Sequence, residues 1–577
     1  MDRLDPRGDF PQHLLRAFED AAVARVELAP SPGAAALARA AEVGAKRIAF
    51  PSLGTGIYDC TIVACQIGND CLLEKVRLAA QVIIERGAVV VDVGALTCSG
   101  KAAFGCGQRL PLACEVGGRE VPVWAEMTVD QAALVARDRA DRPGQQAVRE
   151  AAARYLLGVT SSVGWVRRKA RICHTERVRD CYVGAGAVID HALELTNVAV
   201  LSSPDEATRI TGGSAVSDSV LQWGVQITGN AIVRRSVVME HGGVDEHAAV
   251  ADSVIGPNTH IAKGEVTASL VGPFVGFHHQ SLLISAFWPE GKGNVAYGAM
   301  VGSNHTSRAP DQECWPGEGM FFGLGCAIRY PADFSEAPYT TVSLNTTTLP
   351  QKVRFPFSLI TIPTEALGEG DDTVPRAFNE IIPAWGLDQN AYGLVRTELK
   401  FARRDAARRH RLDYKVLRPS IMRMVKDALD RLAAVKTLKR FYLDVEIDGL
   451  GKNFLREEVR QRAMATYRTA LIRYCLRVLL SEAEQRLEIP GSAEVAHELA
   501  ECLLPGTSWA QRMEKLIEVE QANAAIVQAS KAQDDQRGAR IIPGYADAHM
   551  AAASDPVVRS AWERVERTRE RIQALTS

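Results

Sequence analysis

Chemically capable side chains crowd one stretch of this chain, between Gly264 and Gly325. It holds Glu265, His278, His279, Ser281, Asn294, Ser303, Asn304, His305, Arg308, Asp311, Glu313 and Glu318. An imidazole titrates near neutral pH, so His278 or His279 suits the removal of a proton from a hydroxyl or amine. Adjacent side chains on a strand face opposite ways, so at most one of the pair can face a given cleft. The competing reading is that both are surface or packing histidines. Asn304, beside His305, offers an amide to a developing oxyanion, although Ser303–Asn304 also suits a tight corner. The expected catalytic set is therefore His278, His279, His305 and Asn304. Asn294, Ser303, Arg308, Glu318 and Glu265 are the expected substrate-binding groups.

Two further constellations compete. Arg119, in the loop Gly117–Pro122, carries a planar fork suited to a phosphate or carboxylate; a turn with a structural ion pair is the alternative. His241, His278 and His305 fall at irregular, coil-scale separations, and three imidazoles with a water would suit a catalytic zinc. No HxxxH motif supports the metal, and no P-loop is present. The basic run Arg403, Arg404, Arg408, Arg409 and Arg411 reads as a solvated helix face interrupted by Asp405.

The elements that must hold these residues are legible as a repeat. Val216-Ser-Asp-Ser-Val-Leu, Val233-Arg-Arg-Ser-Val-Val, Val250-Ala-Asp-Ser-Val-Ile and Val266-Thr-Ala-Ser-Leu-Val begin 17, 17 and 16 residues apart. Ser219, Ser236, Ser253 and Ser269 keep one register, and Val183, Ile189, Leu195 and Leu201 are six apart. Such a period predicts three short strands per coil of a parallel β-helix, with Val or Ile inward and small residues at the corners. The six-residue beat points to left-handed coils. The expected class is mainly β with α: a left-handed parallel β-helix of hexapeptide repeats, an inserted helical hairpin and a C-terminal α-helical domain. The expected boundaries are 1–49 for N-terminal helices, 50–126 for first coils, 127–171 for the hairpin, 172–363 for the main β-helix and 364–577 for the helical domain. Within the last, 529–545 reads as a polar loop.

Composition agrees. The 577 residues carry 67 Lys plus Arg against 69 Asp plus Glu, a net charge of -2, so no global basic field attracts nucleic acid. Aromatics are 6% while Gly reaches 46, as aliphatic coils with tight corners require. The aromatics Phe274, Phe277, Phe287, Trp288, Tyr297, Trp315, Phe321 and Phe322 gather near the histidines, which suggests a pocket there. The 12 Cys are scattered without a CxxC pair, and the start lacks an apolar leader. A cytoplasmic protein with reduced thiols and no membrane span is expected.

The stretch Gly272-Pro…His278-His279-Gln-Ser-Leu-Leu-Ile, with Asn294, Gly302-Ser-Asn-His305 and Gly117-Gly-Arg-Glu-Val-Pro122, resembles domain-of-unknown-function family 4954. The order of parts resembles that family too. The family is in turn similar to the hexapeptide-repeat acyltransferases and the β-helix parts of sugar-nucleotide pyrophosphorylases. That resemblance implies a homotrimer with sites between subunits, and a His base using an acyl-CoA co-substrate on a sugar or nucleotide-sugar acceptor. The break in the hexapeptide pattern at 286–318 departs from a standard acyl-CoA cleft. A non-catalytic sugar- or nucleotide-binding scaffold, and a zinc hydrolase or hydratase at a subunit interface, are the rival expectations.

Overall fold

The computed structural model describes residues 54–302, 312–363, 365, 373–486 and 489–576. The expected N-terminal helices of 1–49 lie outside the described residues. Two compact units are present. The first takes in residues up to Gly291 together with 301–314 and 406–411; the second takes in 292–300, 315–405 and 412–577.

The first unit is a parallel β-solenoid. One inward column runs Leu73, Val90, Ile172, Ile189, Ile210, Ile227, Val244, Ile261, Phe277, each paired in parallel with the next. Every one is 0% exposed. Each such side chain contributes roughly 1.5–3 kcal/mol of apolar burial, stacked on its own kind above and below. The residues on either side of this column point outward, because side chains alternate along a strand.

The recurring serines are a second, polar column. Ser236, Ser253 and Ser269 donate their backbone N–H groups to the hydroxyls of Ser219, Ser236 and Ser253 at 3.0–3.1 Å. Each hydroxyl donates in turn to the carbonyl two residues before it. A hydroxyl can do both at once, which explains why one residue type recurs at this buried register.

The corner after the inward column is left-handed backbone. His174, His191, Glu246 and Lys263 have φ of 47°, 54°, 49° and 57° there, a region that costs an ordinary side chain energy. Gly212 and Gly229 fill the same corner in the intervening coils, with φ of 62° and 63°. The corner also explains the odd sixteen-residue step. Five residues separate the inward Val244 from Val250, but only four separate Ile261 from Val266. Among the described residues two helices belong to this unit: α1 (Val129–Arg137), capped by Thr128 and Gln131, and α2 (Arg142–Val159), capped by Asp141.

The second unit begins with further coils. Val295, Phe322, Val342 and Ile360 form its inward column. The strand Leu359–Thr361 then pairs antiparallel with Asn379–Ile382. Helices follow: α3 (Ala391–Arg404), α4 (Pro419–Ala433), α5 (Glu457–Ala483), α6 (Ser492–Leu503), α7 (Trp509–Ile541) and α8 (Pro556–Thr576). Helix α7 covers 529–541 of the stretch 529–545 expected to be a loop. Its Ser508–Gln511 capping box starts it, and a run rich in Ala, Gln and Lys continues it despite its polarity.

Phe277, Phe287 and Trp288 in the first unit and Phe322 in the second are at most 2% exposed. These aromatics fill coil interiors and do not line a pocket. All 12 cysteines are free thiols. Among the described residues, no helix is long and apolar enough to cross a membrane.

Candidate functional site

The solenoid register brings together side chains that the sequence separates. In the first unit the residue after the inward column is Asp190, Thr211, Thr228, Asp245, Ala262 and His278 in successive coils. The residue before it is Gly243, His260 and Gly276 in the last three. His260 thus stands between two glycines and has room to swing along its column. Its Nε2 lies 3.2 Å from Asp245 Oδ2. The other oxygen, Asp245 Oδ1, is buried with no hydrogen-bond partner among the described residues.

Burial pushes the Asp245 carboxyl above its ordinary range; Glu246 adds to this, while His260, His278 and Lys263 pull the other way. Asp245 is thus a partly desolvated carboxylate with one imidazole on it and a second close enough to act on its charge. Ala262, between the levels of Asp245 and His278, has no side chain long enough to separate them. The adjoining corner is polar and open. Lys263 Nζ lies 2.9 Å from Glu246 Oε2, and this pair holds the exposed Glu246 carboxyl below its usual value. His278 and His279 are both exposed.

The same face carries a second cluster. His174, Asp190 and His191 offer three ligand atoms within 4.8 Å of one another. Asp92 Oδ2 lies 3.1 Å from His174 Nδ1, and Asp190 Oδ1 lies 2.8 Å from His191 Nδ1. The two rings are 4.6 Å apart.

Other expected site residues fall elsewhere. Glu265 is exposed on the strand Glu265–Thr267. Asn294 is half-buried on a strand of the second unit. Ser303, Asn304, His305 and Arg308 lie outside the described residues. The fork of Arg119 is engaged by Glu313 at 2.7 Å and by the carbonyl of Ala136 at 2.8 Å, the geometry of a structural tie. Glu318, 3% exposed, accepts from Lys292, Tyr339 and Arg418, which hold its carboxyl low against its own burial. His241 sits at another corner of its coil, with Nε2 3.2 Å from Glu206 Oε1.

Arg403 and Arg404 are exposed on a helix, as expected, but the rest of the basic run is not helical. Helix α3 ends at Arg404, and Arg409 binds Glu240 at 2.6 Å and Glu206 at 3.0 Å while stacking 3.7 Å from the Trp223 ring. His410 Nδ1 lies 2.7 Å from Glu240. Burial works to raise the Glu240 carboxyl, but the bonds from His410 and Arg409 outweigh it and hold it at about 2. Segment 406–411 thus straps this face of the first unit through two buried carboxylates.

Asp245 and His260 are a pair that the dense His278–Glu318 stretch did not reveal. The signal was available. Counting back from His278 by 16 and 17 residues reaches Ala262 and Asp245, and His260 lies between them.

Residues 34–307 match the family described as "Domain of unknown function (DUF4954)". A protein of Treponema pallidum (strain Nichols), described as "Uncharacterized protein", is 24% identical over 388 residues, or 65% of this chain and 52% of that protein. The chain therefore spans about half the length of this relative. The matched residues 34–307, just under half of the chain, are similar to that family and take in Asp245, His260, His278 and His279.

Proposed function

We propose that the protein is a hexapeptide-type acyltransferase that uses the Asp245–His260 pair to activate the hydroxyl or amine of a sugar or nucleotide-sugar acceptor. The observation that carries this reading is the single carboxylate shared by His260 and, electrostatically, His278. A carboxylate on one ring nitrogen fixes the tautomer and leaves the other nitrogen for the substrate. His260 takes the acceptor proton as the nucleophile attacks the thioester carbonyl of an acyl-CoA. The C–S bond breaks as the new C–O or C–N bond forms, and the proton passes to the departing thiolate. Asp245 stabilises the imidazolium in between. His278 and His279 border the acceptor, and Lys263 beside Glu246 supplies a charge at the rim. The reading carries with it the left-handed coil and the homotrimer implied by the family resemblance.

The test is thiol release by purified full-length protein with acetyl-CoA and a panel of amino sugars and nucleotide sugars. Turnover lost in His260→Ala supports the reading. Binding of a nucleotide sugar without turnover supports the non-catalytic scaffold instead.

A second reading rests on the other cluster. His174, Asp190 and His191 form a two-histidine, one-carboxylate set, the donor class of catalytic zinc. Asp92 on Nδ1 of His174 would orient that ring and leave Nε2 for the ion. On this reading the ion would be held by His174, Asp190 and His191.

A further inference from the structure

The second unit holds a cavity of about 580 Å³ among its helices. Its walls follow from helical spacing. Tyr474, Arg477, Val478 and Ser481 on α5 recur at i, i+3, i+4 and i+7, as do Arg564, Arg567, Thr568 and Arg571 on α8. Each set is therefore one stripe of one helix. Among the described residues the cavity meets six cations, Lys415, Arg477, Arg486, Arg564, Arg567 and Arg571, but only two carboxylates, Glu398 and Glu484.

Both lining carboxylates already face a lining arginine. Glu484 is taken by Arg571 at 2.6 Å, and Glu398 stands 3.8 Å from Arg564. Behind the wall, Glu520 is shared between Arg473 and Arg477. Like charges three and four residues apart on α8 repel one another. Burial, together with the repulsion of Arg477, lowers the pKa of Arg564, and the same two causes bring that of Arg473 down to about 10. Tyr474 is 2% exposed and its hydroxyl has no hydrogen-bond partner among the described residues. Six half-buried or exposed cations around one cavity, and a buried hydroxyl with no hydrogen-bond partner among the described residues, are a lining that a polyanionic ligand would complete.

We propose that this cavity binds a small molecule bearing a diphosphate group. Volume and lining fit that class. One phosphate would leave most of 580 Å³ empty, and the size falls within the usual range for small-molecule sites. Arg564 and Arg567 can bind phosphate oxygens through paired N–H groups. Leu417, Val478 and Ile489 offer an apolar wall for an attached nucleoside. Nucleoside diphosphates and free pyrophosphate share this chemistry. The proposal is independent of the acyl-transfer reading.

Isothermal titration of the full-length protein at low salt, with ADP, pyrophosphate and sulfate as separate probes, tests it. One-to-one binding of ADP or pyrophosphate, at least tenfold tighter than sulfate, is expected. ADP above pyrophosphate assigns the nucleotide; equal affinities assign the diphosphate alone. Lys415, Arg486 and Arg567 are exposed, so the triple variant Lys415→Ala/Arg486→Ala/Arg567→Ala should keep its circular dichroism and melting profile while losing at least tenfold in affinity. Arg567→Glu alone provides the same test should the triple variant not fold. Absence of heat with ADP and pyrophosphate, or affinity unchanged in the folded variants, overturns the proposal.

Discussion

His260 Nε2 lies 3.2 Å from Asp245 Oδ2, while the second oxygen of that carboxylate is buried without a partner. Fourteen residues of chain separate the two, and the coil closes that distance by setting their strands side by side. A solenoid does this without long loops, because each turn lays its strands on the last in fixed register.

The raised carboxyl of Asp245 sets a direction for stability against pH. Burial raises its folded value above 3.8, so the folded state holds the proton more tightly than the unfolded chain. That contribution is present at low pH and is lost as pH rises from about 4 through the folded value. Urea midpoints of wild type and Asp245→Asn should therefore differ more in favour of wild type at pH 4 than at pH 7. A difference that instead grows toward pH 7 contradicts the placement.

Glu240 runs the other way. Its carboxyl is held at about 2 against an ordinary 4.5, so its stabilisation is present above about 4.5 and is lost as pH falls toward 2. Glu240→Gln leaves Arg409 and His410 without their anion and should cost about 3–5 kcal/mol at pH 7. The variant should also be less acid-sensitive than wild type between these values, by the share that Glu240 contributes, as followed by denaturant titration.

Ser236 holds two coils together at once. Its hydroxyl donates to Arg234 at 2.7 Å and accepts from the Ser253 N–H at 3.1 Å. Ser236→Ala orphans a buried N–H and should cost about 1–3 kcal/mol. Ser217, outside the ladder and half-buried, is the control, and Ser217→Ala should change the unfolding midpoint little.

The metal reading yields a binding prediction. Zinc titrated into chelator-treated protein should bind one-to-one, and His174→Ala/His191→Ala should abolish this while sparing the melting profile. Equal zinc uptake by wild type and the double variant would remove the cluster from consideration.

Much of the architecture was legible because a solenoid repeats its physics. The inward aliphatic position recurs along the stacked coils, and the 17-residue period and single Ser register recur over Val216–Val271, so the pattern reports the structure several times over. The 16-residue step between Val250 and Val266 marked the shortened corner at Ala262–Gly264. The site was only half legible. His278 drew attention by its density of polar neighbours, whereas Asp245 and His260 look unremarkable until coils are stacked. Arg409 was misread because a basic run has no period to show that one member turns inward. Helix α7 was misread at 529–541 because polarity there reflects a helix face toward water, not the absence of a helix.

The central claim is that His260, oriented by Asp245, is the general base of acyl transfer. It is tested most directly by the rate of thiol release from acetyl-CoA with the best acceptor, compared across wild type, His260→Ala and Asp245→Asn at equal folded concentration. The account predicts turnover in wild type, a loss of about 10²–10⁴-fold in His260→Ala, and a smaller loss with an altered pH profile in Asp245→Asn. Turnover in wild type that is unchanged in His260→Ala, or no turnover with any acceptor, contradicts it.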